Sequence, residues 1–110
     1  MGRLFLDPGL LRWQASLQTA DLLPDASGGA VISWREVALI SVHLEPVSAK
    51  AQERFGQREA TVTHRVICRH RSGLDRGMAF VINGRRLIIR TVHDPDEGGR
   101  FLLCRCEEEG

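Results

Sequence analysis

Residues 61–92, TVTHRVICRHRSGLDRGMAFVINGRRLIIRTV, leave this chain little choice of fold. Val62, His64, Val66 and Cys68 alternate with Thr61, Thr63, Arg65, Ile67 and Arg69. A period of two is the mark of a strand with one face buried. Residues 71–77 break the pattern, and residues 78–82 resume it as an apolar run. Asn83-Gly84 then predicts a two-residue hairpin, because both central positions of a type I′ turn need positive φ, which Asn and Gly tolerate best. Residues 85–92 return as a third strand, with Leu87 and Ile89 on one face and Ile88 on the other. A three-stranded antiparallel meander cannot cover both its faces, so the rest of the chain must close over it.

The flanking sequence supplies that partner in strands. Residues 11–19 place Leu11, Trp13, Ala15 and Leu17 on one face and Arg12, Gln14, Ser16 and Gln18 on the other. Residues 20–30 read as a long loop holding Asp21, Pro24, Asp25 and Gly28-Gly29. Residues 31–44 form the next strand, with Ile32, Trp34, Ala38, Ile40, Val42 and Leu44 on one face, interrupted by Glu36. The opposite face starts polar and turns apolar at Val37 and Leu39, which predicts a bend or bulge there and an outer face that meets a neighbour. Residues 94–99 make a turn, residues 101–106 a last strand, and Glu107-Glu108-Glu109 a solvated tail. A single turn of helix fits before the first strand. The expected fold is therefore all-β, one domain over residues 1–110, a small antiparallel barrel of about six strands with little helix.

Between the second and third strands lies the polar stretch Val47, Ser48, Ala49, Lys50, Ala51, Gln52, Glu53, Arg54, Phe55, Gly56, Gln57, Arg58, Glu59, Ala60. Ser48 is placed to cap a short helix over residues 49–55, with Gly56 as its stop. The stretch is too weakly amphipathic for a docked core helix, so it reads as an excursion from the barrel.

Composition narrows the function classes. The 110 residues are 43% hydrophobic and 26% charged, as in soluble globular domains. No apolar run reaches the roughly 18 residues of a membrane helix, and the N-terminal apolar run is too short for a signal peptide. Three cysteines, an odd count, point to free thiols in a reducing compartment. A net charge of +1 is too balanced for a protein whose work is gripping phosphates. Lys50 is the only lysine among 15 cations, and arginine is the cation favoured at protein interfaces.

Three chemistries are weighed against these residues. Cys104 and Cys106 share a strand face, as do Cys68 and His70, so paired strands would bring four zinc-ligand types together. Structural zinc sites use Cys-x₂₋₄-Cys knuckles instead, and buried packing accounts for the cysteines. Metal and cofactor are expected to be absent. His43, His64, His70 and His93 sit in no nucleophile setting, so no enzyme activity is expected. Arg65, Arg69 and Arg71 on one strand, and Arg86 and Arg90 on another, sketch a nucleic-acid face. The chain has no tyrosine, and base stacking needs interleaved aromatics.

In order and spacing the chain resembles the phage head–tail joining proteins, the head-closure or stopper proteins of long-tailed phages and phage-like gene transfer agents. The features that carry the likeness are Leu17-Gln18, Gly28-Gly29, Trp34, Pro46, Thr63-His64, Arg69-His70-Arg71, Ser72-Gly73, Gly77-Met78, Asn83-Gly84-Arg85 with Leu87 and Ile89, Val92-x-Asp94, Leu103 and Cys106-Glu107. The family often carries aromatics where Leu87 and His70 stand. The resemblance implies a small barrel that assembles as a ring, a hexamer or dodecamer, in the particle neck after assembly in the bacterial cytoplasm. Its partners would be the portal and head adaptor, the tail terminator, and double-stranded DNA passing through the channel. The resemblance implies no membrane partner. It implies that the segment from Val47 to Arg58 reaches into that channel and helps retain packaged DNA. A tail-terminator or other tail-tube ring protein is the alternative, and a nucleic-acid-binding small barrel a further one.

Overall fold

The computed structural model describes residues 8–47 and 62–109. A short 3-10 turn, Pro8–Leu10, precedes six strands: β1 Trp13–Pro24, β2 Ala30–Pro46, β3 His64–Arg69, β4 Ala79–Ile82, β5 Arg85–His93 and β6 Phe101–Glu108. They close into a barrel in the order β1-β2-β3-β6-β5-β4, every neighbouring pair antiparallel. Strand direction thus alternates around the barrel. Turns β1–β2, β3–β4 and β5–β6 lie at one end; the β2–β3 crossing, the β4–β5 turn and the C-terminal end of β6 lie at the other.

The expected alternation sets the interior. Val62, His64, Val66 and Cys68 all face in, with Val66 and Cys68 essentially sealed from solvent. Phe80 is the largest fully buried side chain, and Leu17, Val42, Leu87, Ile89, Cys104 and Cys106 pack in the same core. The opposite face of β3 and β6 is covered as well. Leu11 lies over Ile67 and Phe101, with Leu103 beside them. That is why Ile67 is buried although it points away from the core. The hairpin at Asn83-Gly84 has φ of 50° and 77°, the two positive values a type I′ turn requires.

Three expectations about the strands need correction. Residues 20–30 are not a long loop: β1 continues to Pro24, β2 begins at Ala30, and the two pair down to Pro24↔Ala30. Only residues 25–29 turn. Asp25 organises them, its Oδ1 accepting from Ser27 N and Gly29 N, both at 2.9 Å. Second, the bulge expected near Val37 is present, since Leu17 pairs with Ala38 while Gln18 pairs with Glu36. It inverts the faces before it. Ile32, Trp34 and Glu36 continue the outer face of the barrel and do not share the inner face of Ala38 and Val42, because two bulge residues oppose one partner. Third, β6 runs through Glu107 and Glu108, so these two are strand residues and not a solvated tail. The helix expected over residues 49–55 lies outside the described residues.

Candidate functional site

Of the residues expected to reach the channel, Val47 alone is among those described; Ser48, Ala49, Lys50, Ala51, Gln52, Glu53, Arg54, Phe55, Gly56, Gln57 and Arg58 lie outside them. What the structure resolves is the base on which this segment stands. Val47 N donates to Thr63 O at 2.8 Å, and Thr63 N donates to Cys106 O at 2.8 Å. The two stems of the segment are therefore clamped to each other and to β6.

Beside that clamp the barrel mouth is closed by polar groups. His64 is only 8% exposed. Its Nδ1 lies 2.9 Å from Thr63 Oγ1, and Arg85 Nη2 lies 3.2 Å from its Nε2. A guanidinium only donates, so Nε2 accepts and the ring proton sits on Nδ1, directed at Thr63. Thr63 Oγ1 also accepts from Glu108 N at 2.8 Å. Glu108 takes both Nε and Nη2 of Arg85, at 2.9 and 2.8 Å. Burial, and then the Arg85 charge, hold the His64 pKa below its ordinary value, with Glu108 opposing. The Arg85 hydrogen bond likewise holds Glu108 below the usual carboxylate range. Asn83-Gly84 was legible as a turn, but its consequence was not: by fixing the register Ile82↔Arg85 it aims Arg85 at this network.

The outer face of β5 and β6 carries an arginine–glutamate ladder. Arg90 Nη2 sits 2.6 Å from Glu107 and Arg86 Nη1 3.3 Å from Glu109. Arg86 also lies over the ring of Trp34, 5.0 Å from its centroid. Arg65 pairs with Glu45 at 2.9 Å, and Glu45 accepts His43 as well. The arginines that sketched a nucleic-acid face are thus largely engaged by carboxylates, an exposed arrangement that weakens any pull on phosphates. Of the arginines in that sketch, Arg69 and Arg71 have no such ion pair among the described residues; with His70, Ile40 and Ser41 they line a cleft of about 270 Å³. Arg71 and His70 stand beyond the end of β3, so neither shares the strand face expected for it. His70 is exposed and cannot join Cys68, Cys104 and Cys106, which are buried free thiols. Burial pushes the Cys106 thiol up to about 12. Among the described residues no group of three His, Cys, Asp or Glu side chains has metal-binding geometry.

The third feature is the extension of β1 and β2 beyond the barrel, of which sequence reading took the β1 half, residues 20–24, for a loop. β4 accompanies β1 only from Ser16 to Gln18, and β3 accompanies β2 only from Val42 to Pro46. Residues 19–35 therefore form a two-stranded arm. Most of its apolar side chains stay in water: Leu22 is 72% exposed and Ile32 60%, whereas Trp34 is half-buried under Arg86. Val31, Ile32 and the Asp25/Gly28-Gly29 turn were the signals that could have found it.

Comparison with known proteins bears on these surfaces. A family model for phage head completion protein matches residues 6–109. No curated protein matches the chain. Among solved structures, protein SF1141 from Shigella flexneri 2a superposes with a TM-score of 0.75 at 24% identity, covering 96% of this chain and 98% of that one. A chain from the virion of a native gene transfer agent particle superposes with a TM-score of 0.62 at 20% identity, covering 87% and 93%. At those identities the two structures show a shared fold.

Proposed function

Since this chain belongs to the phage head completion protein family, we propose that it is a structural, non-catalytic component of a phage or phage-like particle, forming a ring in the neck that joins head to tail and keeps packaged DNA inside. The observation that carries the reading is the family match over almost the whole chain. The geometry supports it. The barrel closes on itself, so the backbone edges it offers its neighbours belong to the protruding β1–β2 pair, where β2 is unaccompanied by β3 as far as Ser41. Those extensions leave from opposite ends: the apolar arm at one, the polar segment 48–61 at the other. A protein between two larger assemblies needs a surface for each.

In this reading segment 47–60 narrows the channel. Ser48, Lys50, Gln52, Glu53, Arg54, Gln57 and Arg58 give it mixed charge. DNA can pass such a lining without being held, whereas a strongly basic one would bind it. The clamp of Val47, Thr63 and Cys106 gives the segment a fixed base. The portal or adaptor on one side and the tail terminator on the other are the partners. The test replaces residues 48–57 by a short Gly-Ser linker. The barrel is expected to fold and the particles to join, while heads that have not received a tail lose DNA. Tailless heads that retain DNA as well as unmodified ones would remove the gating role.

A further inference from the structure

The arm has two free backbone edges. Beyond the bulge, residues 19–24 of β1 pair one-to-one with residues 30–35 of β2. Neither run has a second strand beside it among the described residues. Six residues extend about 20 Å at strand rise. Unpaired edges of that length are normally blunted by lysine, proline, charge or a covering element. Here the chain's one lysine is elsewhere, and residues 30–35, Ala-Val-Ile-Ser-Trp-Arg, carry one charge. That charge is already met: Arg35 Nε lies 3.0 Å from Asp21 Oδ2 across the arm. Among the described residues, exposed large hydrophobics concentrate here, on both faces of the arm, with Leu22 and Ile32 on one and Leu23 and Val31 on the other. An element apolar on both faces and open on both edges is built to be enclosed by neighbours, not to lie on one surface.

We propose that the arms of adjacent copies pair edge to edge, β2 of one copy against β1 of the next, so that the neck ring carries a continuous antiparallel sheet. This rests on the ring reading above. The occupant is a second copy because the arm holds both halves of the joint. Its two edges are opposite in direction, and residues 30–35 match residues 19–24 in length, although the free edge of β2 runs on to Ser41, where β3 has not yet joined. Copies related by rotation with their arms pointing one way therefore present β2 to β1, antiparallel, at every joint. Such a head-to-tail contact closes when the rotation closes. Charge agrees with the arrangement. Asp21 and Arg35 share a face, so around the sheet each Arg35 stands between its own Asp21 and that of the next copy, and like charges never adjoin.

The test is photo-crosslinking in assembled particles, with p-benzoylphenylalanine introduced in place of Ile32, in parallel with a reconstruction of the neck. Ile32 is largely exposed, so the variant is expected to fold, and circular dichroism checks it. The expected result is a ladder of products at multiples of the chain mass, with mass spectrometry joining residue 32 to residues 19–24 of another copy. The same probe at Leu22 approaches the joint from its other side and is expected to reach residues 30–35. The probe at Gln14, on the barrel wall, should not give that pairing. Cross-links from both arm positions to another particle protein or to DNA, or none from either, overturn the pairing while a visible ring keeps the ring reading intact. A neck with no ring overturns both.

Discussion

Gly84 offers a clean measurement of what the Asn83-Gly84 turn contributes. Its φ is +77°, and a Cβ built on it would meet nothing within 4 Å. Replacing Gly84 by Ala therefore introduces no clash. The only folded-state cost is a left-handed backbone angle, about 1–2 kcal/mol for a residue with a Cβ. Against this, alanine has fewer unfolded conformations to lose, which returns about 0.4–1 kcal/mol. The net expectation is a loss near 1 kcal/mol for Gly84→Ala. Gly84→Val should lose more, because a branched Cβ tolerates positive φ least, and Gly84→Asn should lose less. At the scaling for domains of this size, 1 kcal/mol corresponds to a fall of about 4 °C in Tm. Urea denaturation followed by circular dichroism gives the same quantity, with the m-value unchanged. Equal midpoints for all variants, or alanine tolerated better than asparagine, would refute the backbone-strain argument and with it the assignment of a type I′ turn as the register-setting element.

Phe80→Ala, at a side chain with no exposed surface, is expected to cost about 3–5 kcal/mol by cavity formation, read from chemical denaturation. The three thiols should resist a thiol reagent in the native protein and all react in denaturant, because each is buried and unpaired; rapid labelling under native conditions would show that the core opens. The depressed pKa of His64 means the unfolded chain binds its proton more readily. Stability should therefore decline as pH falls below about 6.5 and level off once the folded value is passed, a slope that His64→Gln removes. Glu108 is also depressed, so its contribution is present above its unfolded pKa and lost only at more acid pH as its folded value is passed; Glu108→Gln should flatten that lower window alone. Deleting Val37 removes the extra residue of the bulge and should turn residues 30–36 to the opposite face, breaking the 2.7 Å bond from Ser16 to Glu36; chemical-shift mapping that leaves Trp34 beside Arg86 would contradict this.

How much of this was legible in the sequence depended on whether the deciding contact was local. Val62, His64, Val66 and Cys68 announced their face by alternation, and Asn83-Gly84 announced its turn, since both signals lie within a few residues. The glutamates at 107–109 misled because three like charges at a chain end read as solvated. What makes them ordered is the β5–β6 register, which brings Arg85, Arg86 and Arg90 alongside. Period-two reading also failed across Val37: counting by twos cannot pass an extra residue, so Ile32 and Trp34 were assigned to the wrong face although the bulge itself was expected. The arm was missed for a related reason. Pro24, Asp25 and Gly28-Gly29 are turn residues, and with neither face of residues 20–24 buried there was no alternation to mark the strand.

These same misreadings bear on function. The barrel satisfies most of its backbone by closing, and Arg65, Arg85, Arg86 and Arg90 pair with glutamates, so much of its wall gives a partner neither a sheet edge nor a strong phosphate-binding face. What the wall withholds, the extensions supply. The arm, whose β1 half sequence reading took for a loop, holds exposed apolar residues that a neighbour can bury. The polar segment 48–61 is anchored through Val47 and Thr63 to the strand that bears Cys106 and Glu108. Thr63 belongs to that anchor and also accepts from the His64 ring and from Glu108 N, so the base of the segment and the closed mouth of the barrel share one hydroxyl. A change at His64 or Arg85 is therefore transmitted to the base of the segment, while the arm leaves at the far end of the barrel and touches this side through Trp34, over which Arg86 lies. The antiparallel order of six strands thus places the arm and the base of the segment at opposite ends of the barrel, with the contact of Arg86 on Trp34 as a link between them.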